Sequence, residues 1–242
     1  MKVFEYLSYL ITGILICVAI FYWVKNRVKP WRLIGFRYDS MTLFDIIAAF
    51  YISGISVSCI FLVEKHLGLV EIQTAKIDYS IFIGFLIFLL LAAFIEEFLN
   101  RGLMVNGLAV ILTKKWQIVI IVSLLFGLGH ITGEGVSIIS IINNAIGGAI
   151  YTFVFLTVKN LWLPWALHFS WNSFQYVLGY PVSGLKIDSI ITLTEVKDTI
   201  FTGGKYGPEG GLIGLFFRFV FLLLILTYLC KCRQINIKSF CK

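Results

Sequence analysis

Long apolar runs separated by short polar connections make up most of this chain. A helix rises about 1.5 Å per residue, so about 20 apolar residues cross a hydrocarbon core roughly 30 Å thick. Seven runs have a suitable length, at residues 3–24, 41–63, 80–112, 116–131, 136–158, 161–178 and 212–229. The pattern predicts an all-α fold, a polytopic integral membrane helical bundle with about seven transmembrane helices.

Two stretches depart from this regular pattern. The run at residues 80–112 is too long for one straight crossing, so we expect it to tilt or to split near Arg101 and Gly102. The connection at residues 180–211 is the only long one, and it ends in a segment rich in glycine. Clustered glycines indicate tight turns.

Composition supports a membrane protein. Hydrophobic residues are 59% of the chain, charged residues 14%, and the mean hydropathy is +0.92. Soluble domains average about 45–50% apolar and about 25% charged residues. These values argue against a soluble globule, a disordered chain and a nucleic-acid-binding domain, and they make membrane lipids the expected surroundings.

The basic residues predict an orientation in the cell membrane, because cytoplasmic loops carry an excess of lysine and arginine. With the loop at residues 25–37 on the cytoplasmic side, that side holds twelve Lys and Arg residues and the other side holds six. We therefore expect a multi-pass protein with its N-terminus outside, an extracytoplasmic loop at 180–211, and a basic cytoplasmic tail at 230–242. The net charge of +7 then reflects topology rather than a nucleic-acid partner.

Ionisable residues inside the apolar runs are the first candidates for function, since each costs about 2.5–3.5 kcal/mol to insert. Glu96, Glu97 and Arg101 follow fifteen residues dominated by apolar side chains. Glu97 and Arg101 are four apart and share a helix face, whereas Glu96 points about 100° away. The spacing predicts a Glu97–Arg101 pair and a Glu96 side chain that faces a cavity. The alternative is that all three lie in water at a helix end.

Two further groups lie at a similar depth. His130 follows two glycines, and His168 and Asn172 are four apart on one helix face. Each alone is open to a plainer interpretation, either packing or a hydrogen bond between helices. All of the candidate residues, however, fall between roughly 10 and 25 Å into the hydrocarbon core. We therefore expect them to converge on one central cavity within the membrane.

These spacings resemble the three motifs of the CPBP intramembrane proteases, the CAAX-protease and bacteriocin-processing (Abi) family that includes the Ras-converting CAAX endopeptidase. The motifs are Glu96-Glu97-x-x-x-Arg101, Phe126-x-x-x-His130 and His168-x-x-x-Asn172. Asn144 with Gly147-Gly148, and the segment at 207–211, also resemble the family. The resemblance covers about residues 80–215 and implies a catalytic core at 80–229. The apolar pattern and the loop charges predict two transmembrane helices with a basic cytoplasmic loop at 1–79 before this core.

The resemblance implies an intramembrane endopeptidase that acts on peptides or on the termini of membrane proteins. Glu96 and His130 would activate a water molecule, His168 and Asn172 would form an oxyanion hole, and Glu97 and Arg101 would hold the geometry. No cofactor is then expected. The alternative is catalytic zinc with Glu96, His130 and His168 as ligands, although the chain has no His-Glu-x-x-His helix.

Two functions without hydrolysis remain as alternatives. Members of the family are linked to bacteriocin self-immunity, so the protein could bind a bacteriocin or toxin peptide through its outer loop instead of cleaving a substrate. A transporter or channel would use the same buried charges as an ion path, but the chain has no inverted repeat of broken helices.

Overall fold

The computed structural model describes residues 2–25, 34–74, 78–195 and 200–236. A helix occupies each of the seven predicted apolar runs. The helices are α1 (Lys2–Lys25), α2 (Thr42–His66), α3 (Tyr79–Glu97), α4 (Val105–Ile111), α5 (Lys115–Leu128), α6 (Ile138–Val158), α7 (Trp162–Val177) and α8 (Leu212–Lys231). Two short strands, β1 (Val70–Thr74) and β2 (Ile191–Glu195), and two 3-10 turns, Gly204–Tyr206 and Pro208–Gly210, complete the described elements.

Four helical segments are long and apolar enough to cross a membrane. They are α2, the continuous stretch Tyr79–Ile111, α6 and α8. Helices α5 and α7 have 14 and 16 residues, which is short for a full crossing. The all-α membrane architecture agrees with the prediction. In the described part of the chain, however, fewer than seven helices are long and apolar enough to count as full membrane spans.

The long third run does not split. Helix α3 continues through a seven-residue π-helical segment, Phe98–Met104, into α4. A π-helix is rare, and it widens the turn locally without ending the helix. The interruption falls at the predicted position beside Arg101 and Gly102, so the chain changes its helical pitch where we expected a break.

Glycine allows α5 and α6 to pack closely. A Cβ atom on Gly127 would lie 2.7 Å from the Ile141 carbonyl oxygen, and one on Gly148 would lie 2.9 Å from Phe126 Cβ. Both distances are below those that Cβ atoms adopt, so a larger residue at either position would separate the two helices. This contact fixes the position of the α5 C-terminus, where His130 follows.

A group of buried apolar residues joins α2, α6, α7 and α8. Its fully buried members include Val57, Val154, Trp171 and Phe221. Helix α7 packs along both α2 and α3. Because α7 is held from two sides, the positions of His168 and Asn172 relative to α3 are determined by this core.

The connections fall into two groups, at opposite ends of the helices, as the topology prediction requires. Strand β1, which follows α2, pairs antiparallel with β2 in the long loop, with Val70 opposite Glu195. Arg233, after α8, instead binds Asp39 and Asp45 near the start of α2. Of the basic residues used for the orientation, Arg27, Lys29, Arg32, Lys76, Lys197, Lys238 and Lys242 lie outside the described residues. The absolute orientation and the domain boundaries stay predictions.

Cysteine labelling tests the orientation. In a cysteine-free background, Lys186→Cys on the long loop should react with a membrane-impermeant maleimide on intact cells, and Gln234→Cys should react only after lysis. Both positions are exposed, so accessibility to the reagent depends on the side of the membrane rather than on burial. Labelling of position 234 alone on intact cells would contradict the predicted orientation.

Candidate active site

A cavity of about 470 Å³ lies between the helices and the long loop. Glu96 of α3, His130 after α5, and His168 and Asn172 of α7 all line it. The rest of its wall is mainly apolar, with Phe88, Leu89, Ala92, Leu99, Leu125, Phe126, Val182 and Leu185 among the lining residues. The structure therefore brings together the four side chains that the depth estimate predicted to converge.

Glu97 lies behind the cavity wall and is fully buried. Its Oε1 atom accepts hydrogen bonds from Arg101 Nη1 at 2.8 Å and from His168 Nδ1 at 2.9 Å. The Arg101 contact is the pair that the four-residue spacing predicted. The His168 contact links α3 to α7 through a carboxylate in a low-dielectric interior, where such a bond is strong and geometrically restrictive.

Arg101 joins this arrangement to α6. Its Nη2 atom donates to the Gly148 carbonyl oxygen at 2.9 Å, and its guanidinium lies over the rings of Phe126 and Tyr151. The side chain is fully buried, so these contacts replace part of the water that a guanidinium normally requires, while Nε has no partner among the described residues. Gly148 thus has two functions, since it admits Phe126 and supplies a carbonyl to Arg101.

His130 does not lie within a helix, contrary to the sequence prediction. Helix α5 ends at Leu128, and His130 occupies the turn that follows. Its Nδ1 atom lies 2.8 Å from the Phe126 carbonyl oxygen, one of the carbonyls left unpaired by the end of α5. A carbonyl can only accept, so Nδ1 carries a proton and donates it to this oxygen. The other ring nitrogen, Nε2, lies 3.9 Å from Glu96 Oε2.

His168 is held in one orientation by its surroundings. Its ring stacks on Tyr151 at 5.1 Å and meets the edge of Phe126 at 5.8 Å. Since Glu97 binds Nδ1 from outside the cavity, the ring edge that carries Nε2 faces the cavity that His168 lines. The neutral ring would therefore present a lone pair to the cavity, and the imidazolium would present an N–H group.

Asn172 lies one turn after His168 and is half-buried. Its side-chain amide forms no hydrogen bond with any of the described residues, so the helix-to-helix hydrogen bond considered from the sequence is not formed by this part of the chain. The amide remains available to a molecule in the cavity.

The zinc alternative has no matching geometry in the described part of the chain. Among these residues, no three His, Cys, Asp or Glu side chains are grouped so that they could hold a metal ion. Glu96, His130 and His168 share the cavity without forming such a group. Metal independence stays a prediction that a chelation experiment can test.

Sequence reasoning missed a second buried charge pair beside the cavity. Arg218 of α8 is 1% exposed and binds Glu209, which is 3% exposed. An arginine within the apolar run at 212–229 was the available signal, by the same criterion that selected Arg101. In the sequence, Glu209 stands out only as part of the glycine-rich segment at 207–211.

Comparison with known families agrees with the geometry. Residues 78–174 match the family model described as Type II CAAX prenyl endopeptidase Rce1-like. This match, which covers less than half of the chain, supports the CPBP/CAAX protease family for the segment that carries the three motifs. It confirms the resemblance inferred from the three motifs, all of which lie inside the matched segment. No curated protein and no solved structure matches the chain significantly.

Within the segment that matches this family model, Arg101 should be essential for stability. Arg101→Ala leaves the Glu97 carboxylate without its cationic partner in a buried site, a change that typically costs about 3–5 kcal/mol. We expect a clearly lowered melting temperature in detergent. The exposed Arg37 provides the matched control, and Arg37→Ala should melt like the wild type. Equal melting temperatures for the two variants would show that the buried pair contributes little.

Proposed function

We propose that this protein is an intramembrane endopeptidase that hydrolyses a peptide bond with a water molecule activated by Glu96 and His130. One observation carries the proposal. Glu96, His130, His168 and Asn172 line a single cavity, and all four belong to the segment that matches the CAAX prenyl endopeptidase family. The family match favours a peptidase over a protein that only binds a toxin.

The first step is activation of water. Glu96 Oε2 has no hydrogen-bond partner among the described residues, and His130 Nε2 lies 3.9 Å from it. A water oxygen about 2.8 Å from both atoms would meet them at an angle of about 90°, close to the angle between its two O–H bonds. Both acceptors can therefore polarise one water molecule, and Glu96 can take its proton as the oxygen attacks the carbonyl carbon.

The second step is stabilisation of the oxyanion. The Asn172 amide is a neutral donor without a protein partner in the described part of the chain, and His168 Nε2 faces the same cavity. Because Glu97 holds the proton on Nδ1, His168 can donate to an oxyanion only as the imidazolium. In the last step the C–N bond breaks, and Glu96 returns its proton to the leaving amine.

The cavity also supports a proposal for the substrate. Its mostly apolar wall suits an extended apolar peptide, such as the terminus of a membrane protein. A prenylated cysteine is a more specific alternative, suggested by the name of the matching family. Hydrolysis of a peptide with and without a prenyl group separates the two.

The decisive assay uses two fluorescence-quenched peptides that both end in Cys-aliphatic-aliphatic-X, one with an S-farnesyl cysteine and one without. We expect purified protein to cleave at least one of them. Glu96→Gln removes the base while keeping its volume, so cleavage should fall by about 10²–10⁴-fold in a folded protein. Glu134→Gln makes the same change at an exposed glutamate and should leave the rate unchanged.

Two further results would contradict this mechanism. Full activity of a folded Glu96→Gln variant would exclude the glutamate base. Loss of activity with a chelator, restored by Zn²⁺, would instead assign Glu96, His130 and His168 to a metal. We expect activity to survive chelation.

A separate prediction concerns Asn172. Removing one oxyanion donor typically lowers kcat about 10²–10³-fold. Asn172→Ala should therefore lower kcat by that factor with little change in KM, and with little change in melting temperature, because no hydrogen bond to the described residues is lost. The neighbouring Ser173, whose hydroxyl donates to the Phe169 carbonyl, provides the control Ser173→Ala. A lowered melting temperature with normal turnover would remove Asn172 from the mechanism.

A further inference from the structure

The Glu209–Arg218 ion pair is the second buried charge pair beside the cavity. Arg218 Nη2 donates to Glu209 Oε1 at 2.7 Å, and Arg218 Nε donates to Asn143 Oδ1 at 2.9 Å. Burial alone would raise the pKa of the Glu209 carboxyl, but Arg218 and the Ser183 hydroxyl outweigh it and lower that pKa. Glu209 is therefore ionised at neutral pH. Neither partner lines the cavity, so the mechanism does not use this pair directly.

The pair contacts two structural elements that line the cavity, α7 and the long loop, and it also contacts α6. On α7, Trp171 Nε1 donates to Glu209 Oε1 at 3.0 Å, and the Arg218 guanidinium lies 3.6 Å from the centre of the Trp171 ring. On α6, Arg218 Nη1 donates to the Tyr151 hydroxyl at 3.5 Å. In the long loop, the hydroxyl of Ser183 donates to Glu209 Oε2 at 2.8 Å.

Two of these contacts are one step from a residue of the proposed mechanism, and the third is with a residue that lines the cavity. Trp171 precedes Asn172 in the chain, the Tyr151 ring stacks on His168, and Ser183 itself lines the cavity. Ser183 also has a positive φ of 50°, a conformation that a residue other than glycine keeps only where its surroundings hold it. The ion pair thus connects to both proposed oxyanion donors and to the loop beside them.

Glycines allow the segment that carries Glu209 to pack closely against α8 and the rest of the long loop. A Cβ atom at Gly214 of α8 would overlap the Pro208 carbonyl, and Gly207, at a φ of 90°, is packed against the Pro181 carbonyl. The glycine-rich segment can therefore lie directly on α8, with Glu209 directed at Arg218.

Stability alone does not account for a charge pair in this position. A buried ion pair often contributes no more than uncharged side chains of similar volume, because burying the charges offsets their attraction. What the pair supplies is fixed geometry, through a planar guanidinium and a carboxylate with several defined partners.

We propose that Glu209 and Arg218 are positioning residues that set the His168 ring and the Asn172 amide relative to the cavity. The proposal rests on the proposed function for its consequence in catalysis, but the placement of His168 can be measured without any substrate. Loss of the pair should leave the fold intact and misplace the oxyanion donors.

The test compares two double variants that each neutralise both members of a buried ion pair. Glu209→Gln with Arg218→Gln removes the pair beside the cavity. Asp45→Asn with Arg233→Gln removes a comparable pair at the other end of the bundle, where Asp45 is fully buried and also accepts from Tyr228 at 2.7 Å. The second variant also leaves Asp39, which is partly exposed, without Arg233. The partners of Asp45 among the described residues do not line the cavity, so this variant controls for the general effect of losing a buried pair.

Two measurements are made on full-length protein in detergent. The first is kcat and KM on whichever of the two quenched peptides the wild type cleaves. The second is the ¹⁵N spectrum of the imidazole nitrogens, which is simple because the chain has three histidines, His66, His130 and His168. The His168 signal is assigned with His168→Gln, and the exposed His66 is the internal reference.

We expect the Glu209/Arg218 double variant to melt near the wild-type temperature, to shift the His168 signal but not that of His66, and to lose about 10- to 100-fold in kcat with KM nearly unchanged. The Asp45/Arg233 double variant should change none of these except the melting temperature. An unshifted His168 signal in the first variant, or equal losses of kcat per folded molecule in both, would overturn the proposal. If the wild type cleaves neither peptide, the proposed function fails, and the His168 signal still decides whether the pair positions the ring.

Discussion

The site depends on one carboxylate, that of Glu97, buried between an arginine and a histidine. Its Oε1 atom receives both Arg101 and His168, so a single oxygen fixes α3 relative to α7 and fixes which nitrogen of His168 carries a proton. A charge in a low-dielectric interior is tolerated only with such partners. The hydrogen bonds that stabilise the buried Glu97 therefore also orient His168, which lines the cavity.

Close packing of α5 against α6 supports this arrangement of Glu97, Arg101 and His168. Arg101 reaches the Gly148 carbonyl because Gly127 and Gly148 let α5 and α6 approach one another. Phe126, pressed against Gly148, contributes its ring to Arg101 and to His168 and its carbonyl to His130. One residue without a side chain thus influences three of the charged or polar groups around the cavity.

Two buried charge pairs, Glu97–Arg101 and Glu209–Arg218, are connected to His168, and they differ in how they reach it. Glu97 contacts the ring directly through Nδ1, whereas Arg218 is connected to it through the hydroxyl of Tyr151. The direct pair fixes the orientation of the ring. The indirect pair ties the same ring to the loop that carries Ser183 and Glu209, so the loop and the helices share one polar network.

The sequence by itself determined the seven helical runs and the candidates Glu96, Glu97, Arg101, His130, His168 and Asn172, because hydropathy and a four-residue spacing act locally along a helix. The β1–β2 pairing and the Arg233–Asp45 contact are consistent with the predicted grouping of the connections, whereas the orientation stays a prediction. Only the tertiary structure decided that His130 lies beyond the end of α5, that Glu97 binds His168, and that Glu209 meets Arg218. These features depend on which helices touch and on where their ends fall, and contacts between distant segments leave no periodic signal in one chain.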